Sequence, residues 1–214
     1  MHIAEGVLSP SVIAAGYGLA AAGVGVGLYR LNEDRIVHVA VLSSAFFVAS
    51  LIQIPLGPVS IHLGLNALMG LMLGWAAFPA ICVALLLQAV LFGVGGLTVL
   101  GVNTVVMAFP AVAVYYVCRP LLQKDSAGAA ASAGAVAGGG AIVLGTGLLA
   151  LSLVLSGREF AAVAAVVALS HLALAIIEAA VTASVASFLY RVQPRALRNG
   201  WTTVPPAGEA REEG

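Results

Sequence analysis

Long apolar runs without charge dominate this chain, and about 20 consecutive helical residues are what a bilayer's hydrocarbon core requires. Seven such segments can be read: roughly 11–29, 36–54, 61–78, 79–93, 102–118, 128–156 and 160–190. Composition closes off the soluble alternative. Of the 214 residues 61% are hydrophobic and 8% charged, whereas a soluble domain carries about 25% charged residues. So few charges cannot give a globule a water-compatible surface. The expected fold is therefore an all-α integral membrane protein with seven transmembrane helices. Ser9-Pro10 suits a first helix start, with Ser as cap and Pro at the first helical position. Pro79 divides the apolar stretch 61–93, with Gly74 and Trp75 at an inner turn. The last segment is longer than one crossing needs, which tilt or an emergent first turn accommodates.

The charges orient the spans. Loops on the cytoplasmic side are enriched in Lys and Arg. With seven spans and the N-terminus outside, Arg30, Arg35, Arg119, Lys124, Arg191, Arg195, Arg198 and Arg211 all fall inside, and only Arg158 falls outside. Merging 61–93 into one span would scatter them. Residues 1–192 thus read as a seven-span transmembrane domain and 193–214, with Pro205-Pro206 and mixed charge, as a flexible cytoplasmic tail.

Several function classes drop out. The formal net charge is zero, so nothing points to nucleic acid. Cys82 and Cys118 lie in apolar runs without CxxC spacing and read as buried free thiols. The only lysine is Lys124, and no GxxxxGK[ST] phosphate loop exists, so the chain cannot power ATP-driven transport by itself. No cleavable signal is expected, because the first ten residues carry no Lys or Arg and Arg30 follows the first apolar run. Ala14, Gly18 and Ala22 recur every fourth residue, as do Gly23 and Gly27. Such spacing lets helices approach closely, within this chain or against a partner.

The four histidines carry the chemistry. The topology places His2, His62 and His171 at the outer side and His38 at the inner end of the second span. Met1 should be retained, because the aminopeptidases that trim it need a small second residue. A free α-amine, the His2 amide nitrogen and the His2 Nδ1 can then close two adjacent chelate rings on one ion. A fourth nitrogen completes a square plane, the geometry of Ni(II) or Cu(II), and Co(II) also accepts nitrogen donors. His62 is the best candidate for that fourth position. The alternative is that His2 is an ordinary polar residue in a loose tail and His62 an interfacial one. Asn103, after the Gly-rich stretch Gly93–Val102, either caps the fifth span or hydrogen-bonds a site histidine. Glu178 is the only acid deep in an apolar span and shares a helix face with His171. It serves either a structural hydrogen bond or an ion path. Glu5 either orients the N-terminal segment or is solvated.

The opening Met1-His2-Ile3-Ala4-Glu5-Gly6-Val7-Leu8-Ser9-Pro10 resembles the start of the CbiM/NikM family, the substrate-binding components of energy-coupling-factor cobalt and nickel importers. Pro58–Gly64, Gly95–Asn103 and Ser170–Thr182 resemble further motifs of that family in order, so the resemblance runs through nearly the whole chain. It implies a seven-span fold with the N-terminal segment tucked into the bundle. It implies Co2+ or Ni2+ as transported substrate, held by the Met1 amine, the His2 amide and imidazole, and the His62 ring. It also implies a coupling membrane protein, cytoplasmic ABC-type ATPases, often a small accessory membrane subunit, and no catalytic role for this chain. Many relatives carry His-Pro-Thr-Gly or a longer Gly-rich stretch at the second histidine, where Leu63-Gly64 follows here, which leaves the choice of metal open. A secondary transporter or channel for another small solute is the competing class, but only Gln53, Gln88 and Glu178 would line its path.

The orientation is testable with single cysteines at Ser126 and Ser156 in a chain lacking Cys82 and Cys118. A membrane-impermeant thiol reagent should reach the two positions from opposite sides. Labelling of both from one side contradicts seven spans.

Overall fold

The computed structural model describes residues 2–56, 59–194 and 197, with only the backbone course given for 53–56 and 59–61. Met1, Arg195, Arg198, Arg211 and Pro205-Pro206 lie outside the described residues. A two-residue strand β1 (His2–Ile3) precedes helix α1 (Pro10–Tyr29) and helix α2 (Ile36–Ser50). Strands β2 (Gln53–Leu56) and β3 (Val59–His62) follow. Then come a short helix α3 (Asn66–Leu73), a 3-10 turn at Gly74–Ala76, and α4 (Ala77–Phe92). Helices α5 (Leu100–Leu122), α6 (Ala127–Ser156) and α7 (Ala161–Val192) complete the bundle.

Most of these elements lie where the apolar runs place them. Ser9 is extended (φ −68°, ψ 151°) and Pro10 opens α1, since a missing N–H costs nothing at the first helical position. The apolar stretch before Pro79 breaks at Gly74, which sits at φ +56°. Residues Pro10–Tyr29, Asn66–Phe92, Leu100–Leu122, Ala127–Ser156 and Arg158–Val192 are each long and apolar enough to cross a membrane. The protein is thus a mainly helical, multi-pass membrane protein. Helix α2, at 15 residues, is about 22 Å long and falls short of the roughly 30 Å of hydrocarbon. Helix α3 has 8 residues.

The departure from an all-α expectation is a small sheet. Its strands are ordered β1-β3-β2, all antiparallel, with His2 opposite Ser60 and Gln53 opposite His62. The second helix accordingly ends at Ser50 rather than 54, and the third begins at Asn66 rather than 61. Non-helical backbone at membrane depth is tolerated only where protein satisfies its polar groups. The central strand β3 has a neighbour on each side. The free edge of β1 is closed by Asn103 on α5, whose Oδ1 accepts the Ile3 N–H at 2.9 Å and whose Nδ2 donates to the Ile3 carbonyl at 3.1 Å.

Helices α6 and α7 are joined through small residues. A Cβ on Gly134 would stand 2.6 Å from the Thr182 carbonyl oxygen and 2.7 Å from the Ala183 Cα. One on Gly138 would press on the Glu178 carbonyl and stand 2.8 Å from the Ala179 Cα. Leu197 is buried against Ala130 and Ala186 at the far end of the same pair. Gly147, by contrast, faces open space. Gly138→Val should therefore lower stability by roughly 1–3 kcal/mol, the usual cost of overpacking, read as a drop in the thermal midpoint in detergent. Gly147→Ala should leave the midpoint unchanged or slightly raised.

Candidate metal centre

Strand register brings two histidines together. Side chains alternate along a strand, so positions 60 and 62 of β3 share a face, and His2, opposite position 60, shares it too. The His2 and His62 rings lie 4.6 Å apart, centroid to centroid, at 31° to each other. Each residue is only 3% exposed. Burial holds the His2 imidazole well below its ordinary range, so the ring is neutral at pH 7 and carries a lone pair.

Most of the ring nitrogens of the pair are left without partners. His62 Nδ1 donates to the Leu63 carbonyl at 3.2 Å, which fixes the tautomer that leaves Nε2 with its lone pair. A second partner of this kind is the usual companion of a metal-binding imidazole. His62 Nε2 and both ring nitrogens of His2 make no hydrogen bond of ordinary geometry among the described residues, with the Gln88 carboxamide lying against the His2 ring. Buried polar atoms are otherwise almost always paired. Nitrogen donors left in this way fit a borderline transition-metal ion such as Co2+ or Ni2+.

The surrounding residues seat the N-terminal segment. The Glu5 carboxylate accepts the Thr98 N–H at 3.0 Å, and the Ser9 N–H donates to Ser156 Oγ at 3.1 Å. Gly96, at φ +117°, leaves the space that the Glu5 side chain fills, and Gly95, at φ +77°, runs against His2 and Asn103. Asn103 neither caps α5, which starts at Leu100, nor hydrogen-bonds a histidine. Its carboxamide is committed to the main chain of Ile3. Gln88, read from sequence only as a pathway residue, adjoins His2. Its Nε2 is used by Ser50 Oγ and the Phe47 carbonyl.

His171 and Glu178 are both buried on α7 at 1% exposure, and neither hydrogen-bonds the pair. His171 Nδ1 donates to the Val167 carbonyl at 2.7 Å. Glu178 accepts the Gly64 and Leu65 N–H groups. Among the described residues no three His, Cys, Asp or Glu side chains form one metal-sized cluster. The candidate site among the described side chains therefore comprises two imidazoles, and Met1 lies outside the described residues. Cys82 and Cys118 are free thiols.

The sequence matches the family described as CbiM, cobalt uptake substrate-specific transmembrane region, over residues 2–196. It is 40% identical over 199 residues to a putative metal transport protein of Haemophilus influenzae, covering 92% of this chain and 97% of that one. It is 31% identical over 197 residues to a putative fused nickel transport protein NikMN of Archaeoglobus fulgidus, covering 91% of this chain and 67% of that one. The fold matches a crystal structure of a truncated transition metal transporter with a TM-score of 0.73 and 28% identity. That match covers 90% of this chain and 99% of the other. The chain therefore belongs to the CbiM family, as a membrane component of cobalt or nickel uptake.

Proposed function

We propose that this chain is the ion-capturing subunit of an ATP-driven, energy-coupling-factor-type importer. It holds Co2+ or Ni2+ through the Met1 amine, the His2 amide and imidazole nitrogens, and His62 Nε2. The observation that carries this reading is the buried His2–His62 pair, in which three ring nitrogens, His62 Nε2 and both of His2, make no hydrogen bond of ordinary geometry among the described residues. Ile3 turns its N–H and C=O toward Asn103, so by strand alternation those of His2 face β3 at position 60. Recruiting the His2 amide nitrogen thus exchanges a ladder position and a proton for the ion, and metal loading releases protons.

Seven crossings, with the N-terminus outside and the C-terminus cytoplasmic, suit the short elements. Helix α2 with the segment after it, and β3 with α3, each make up the thickness that one short helix cannot. The basic residues support the orientation. Arg30 donates to Tyr116 Oη at 3.1 Å and Arg119 stands over the Tyr115 ring, which gathers two arginines at the end of the bundle away from β1. Residues 1–192 form the metal-binding unit and the remainder a cytoplasmic tail.

ATP hydrolysis belongs to partners, since the sequence has no phosphate loop. A coupling membrane protein and cytoplasmic ABC-type ATPases would reorient this component and carry the ion inward. The Archaeoglobus fulgidus relative is named as a fused protein, which favours a small accessory membrane subunit beside this chain.

His62→Ala should abolish high-affinity Ni(II) or Co(II) binding in titration calorimetry on folded, detergent-purified protein. His38→Ala, on the first turn of α2 and away from the sheet, should bind as wild type. Equal loss in both variants rules out this site.

A further inference from the structure

Glu178 is the only acid within α7 and is 1% exposed. A carboxylate at this depth is costly unless its charge meets strong donors. Its Oε1 accepts the N–H of Gly64 at 2.5 Å and of Leu65 at 3.0 Å. Both groups lie at the mouth of α3, where the positive end of the helix favours an anion. Leu65 stands at φ +50°, the only non-glycine in the left-handed region among the described residues. A bulky residue persists there only when its surroundings hold it.

These two contacts reach the metal ligand through one rigid unit. The Gly64 N–H and the Leu63 carbonyl are the two ends of a single planar peptide group. One end is held by Glu178, and the other accepts the Nδ1–H of His62 at 3.2 Å. A turn of that plane would move the carbonyl and release the imidazole. We propose that Glu178 is a positioning residue for metal capture: by holding the Leu63–Gly64 peptide plane it fixes the tautomer and orientation of the His62 ring. The inference rests on His62 being a metal ligand, as argued above. A purely structural role, capping α3 alone, would leave the metal's coordination untouched.

The test uses the full chain in detergent with Ni(II) as probe, reading affinity by calorimetry and the coordination by the Ni(II) absorption spectrum. Glu178→Gln keeps an oxygen that accepts the same two N–H groups, so its affinity and spectrum should stay close to wild type. Glu178→Ala should weaken binding by about 10–100-fold, as loss of a ligand's supporting partner does, and shift the spectrum. In the His62→Ala background, Glu178→Ala should add nothing to the loss, because the two changes act through one ligand. An unchanged affinity and spectrum in Glu178→Ala overturns the proposal. So does an undiminished effect in the His62→Ala background, or a folded Glu178→Gln as impaired as Glu178→Ala. Wild-type binding by His62→Ala would instead remove the metal reading itself. If Glu178→Ala does not fold, Glu178→Asp, shorter by one methylene, must shift the spectrum, and an unshifted one counts against positioning.

Discussion

Inside a bilayer no water completes a backbone hydrogen bond, and the rest of this structure follows from how that demand is met away from helices. Between α2 and α3 the chain abandons helix for the β2–β3 hairpin, and the N-terminal strand β1 joins it. Asn103 closes the outer edge of the sheet, and Glu178 accepts the N–H groups where the hairpin gives way to α3. Two polar side chains, from α5 and α7, thereby stabilise an irregular segment that an apolar bundle alone would not support. The close approach of α6 to α7 at Gly134 and Gly138 brings this carboxylate's helix against its neighbour at the same level.

That segment carries the candidate metal pair. Strand alternation makes His2 and His62 neighbours although 60 positions separate them in sequence. Burial holds the His2 imidazole well below its ordinary range. The Leu63 carbonyl selects the tautomer of His62. The outer latches, Glu5 on Thr98 and Ser9 on Ser156, hold the start of the chain over the pair. Positioning here comes from hydrogen bonds to main chain, because in a bundle this poor in charge few other directional contacts exist.

The helices were legible because each long apolar run has one stable solution in lipid, and the break near Gly74 was legible because glycine precedes a proline-marked restart. The sheet was not. Gln53–His62 is short and mostly apolar, and it reads as the continuation of the helices on either side. Its pairing with His2–Ile3 is a contact across the chain that no local pattern announces. His2 and His62 were legible as a candidate pair from the chelating potential of a Met-His start, and the structure places their rings side by side. The tasks of Asn103 and Gln88 were not, since both depend on the sheet. Glu178 was legible as a costly buried acid, and its partners, two backbone N–H groups of a turn, were not.

The central claim is that the start of the chain is itself part of the ion's coordination, and the most direct measurement leaves every side chain in place. Cells expressing the complete transporter should be compared with one residue added before Met1 and, separately, with a C-terminal tag. The extension moves the amine and turns a three-nitrogen end into a four-nitrogen end that no longer needs His62. Uptake of Co(II) or Ni(II) should vanish with the extension and persist with the C-terminal tag. Normal uptake by a chain verified to retain its extension would show that the Met1 amine is not a ligand, and this account of metal capture would fail.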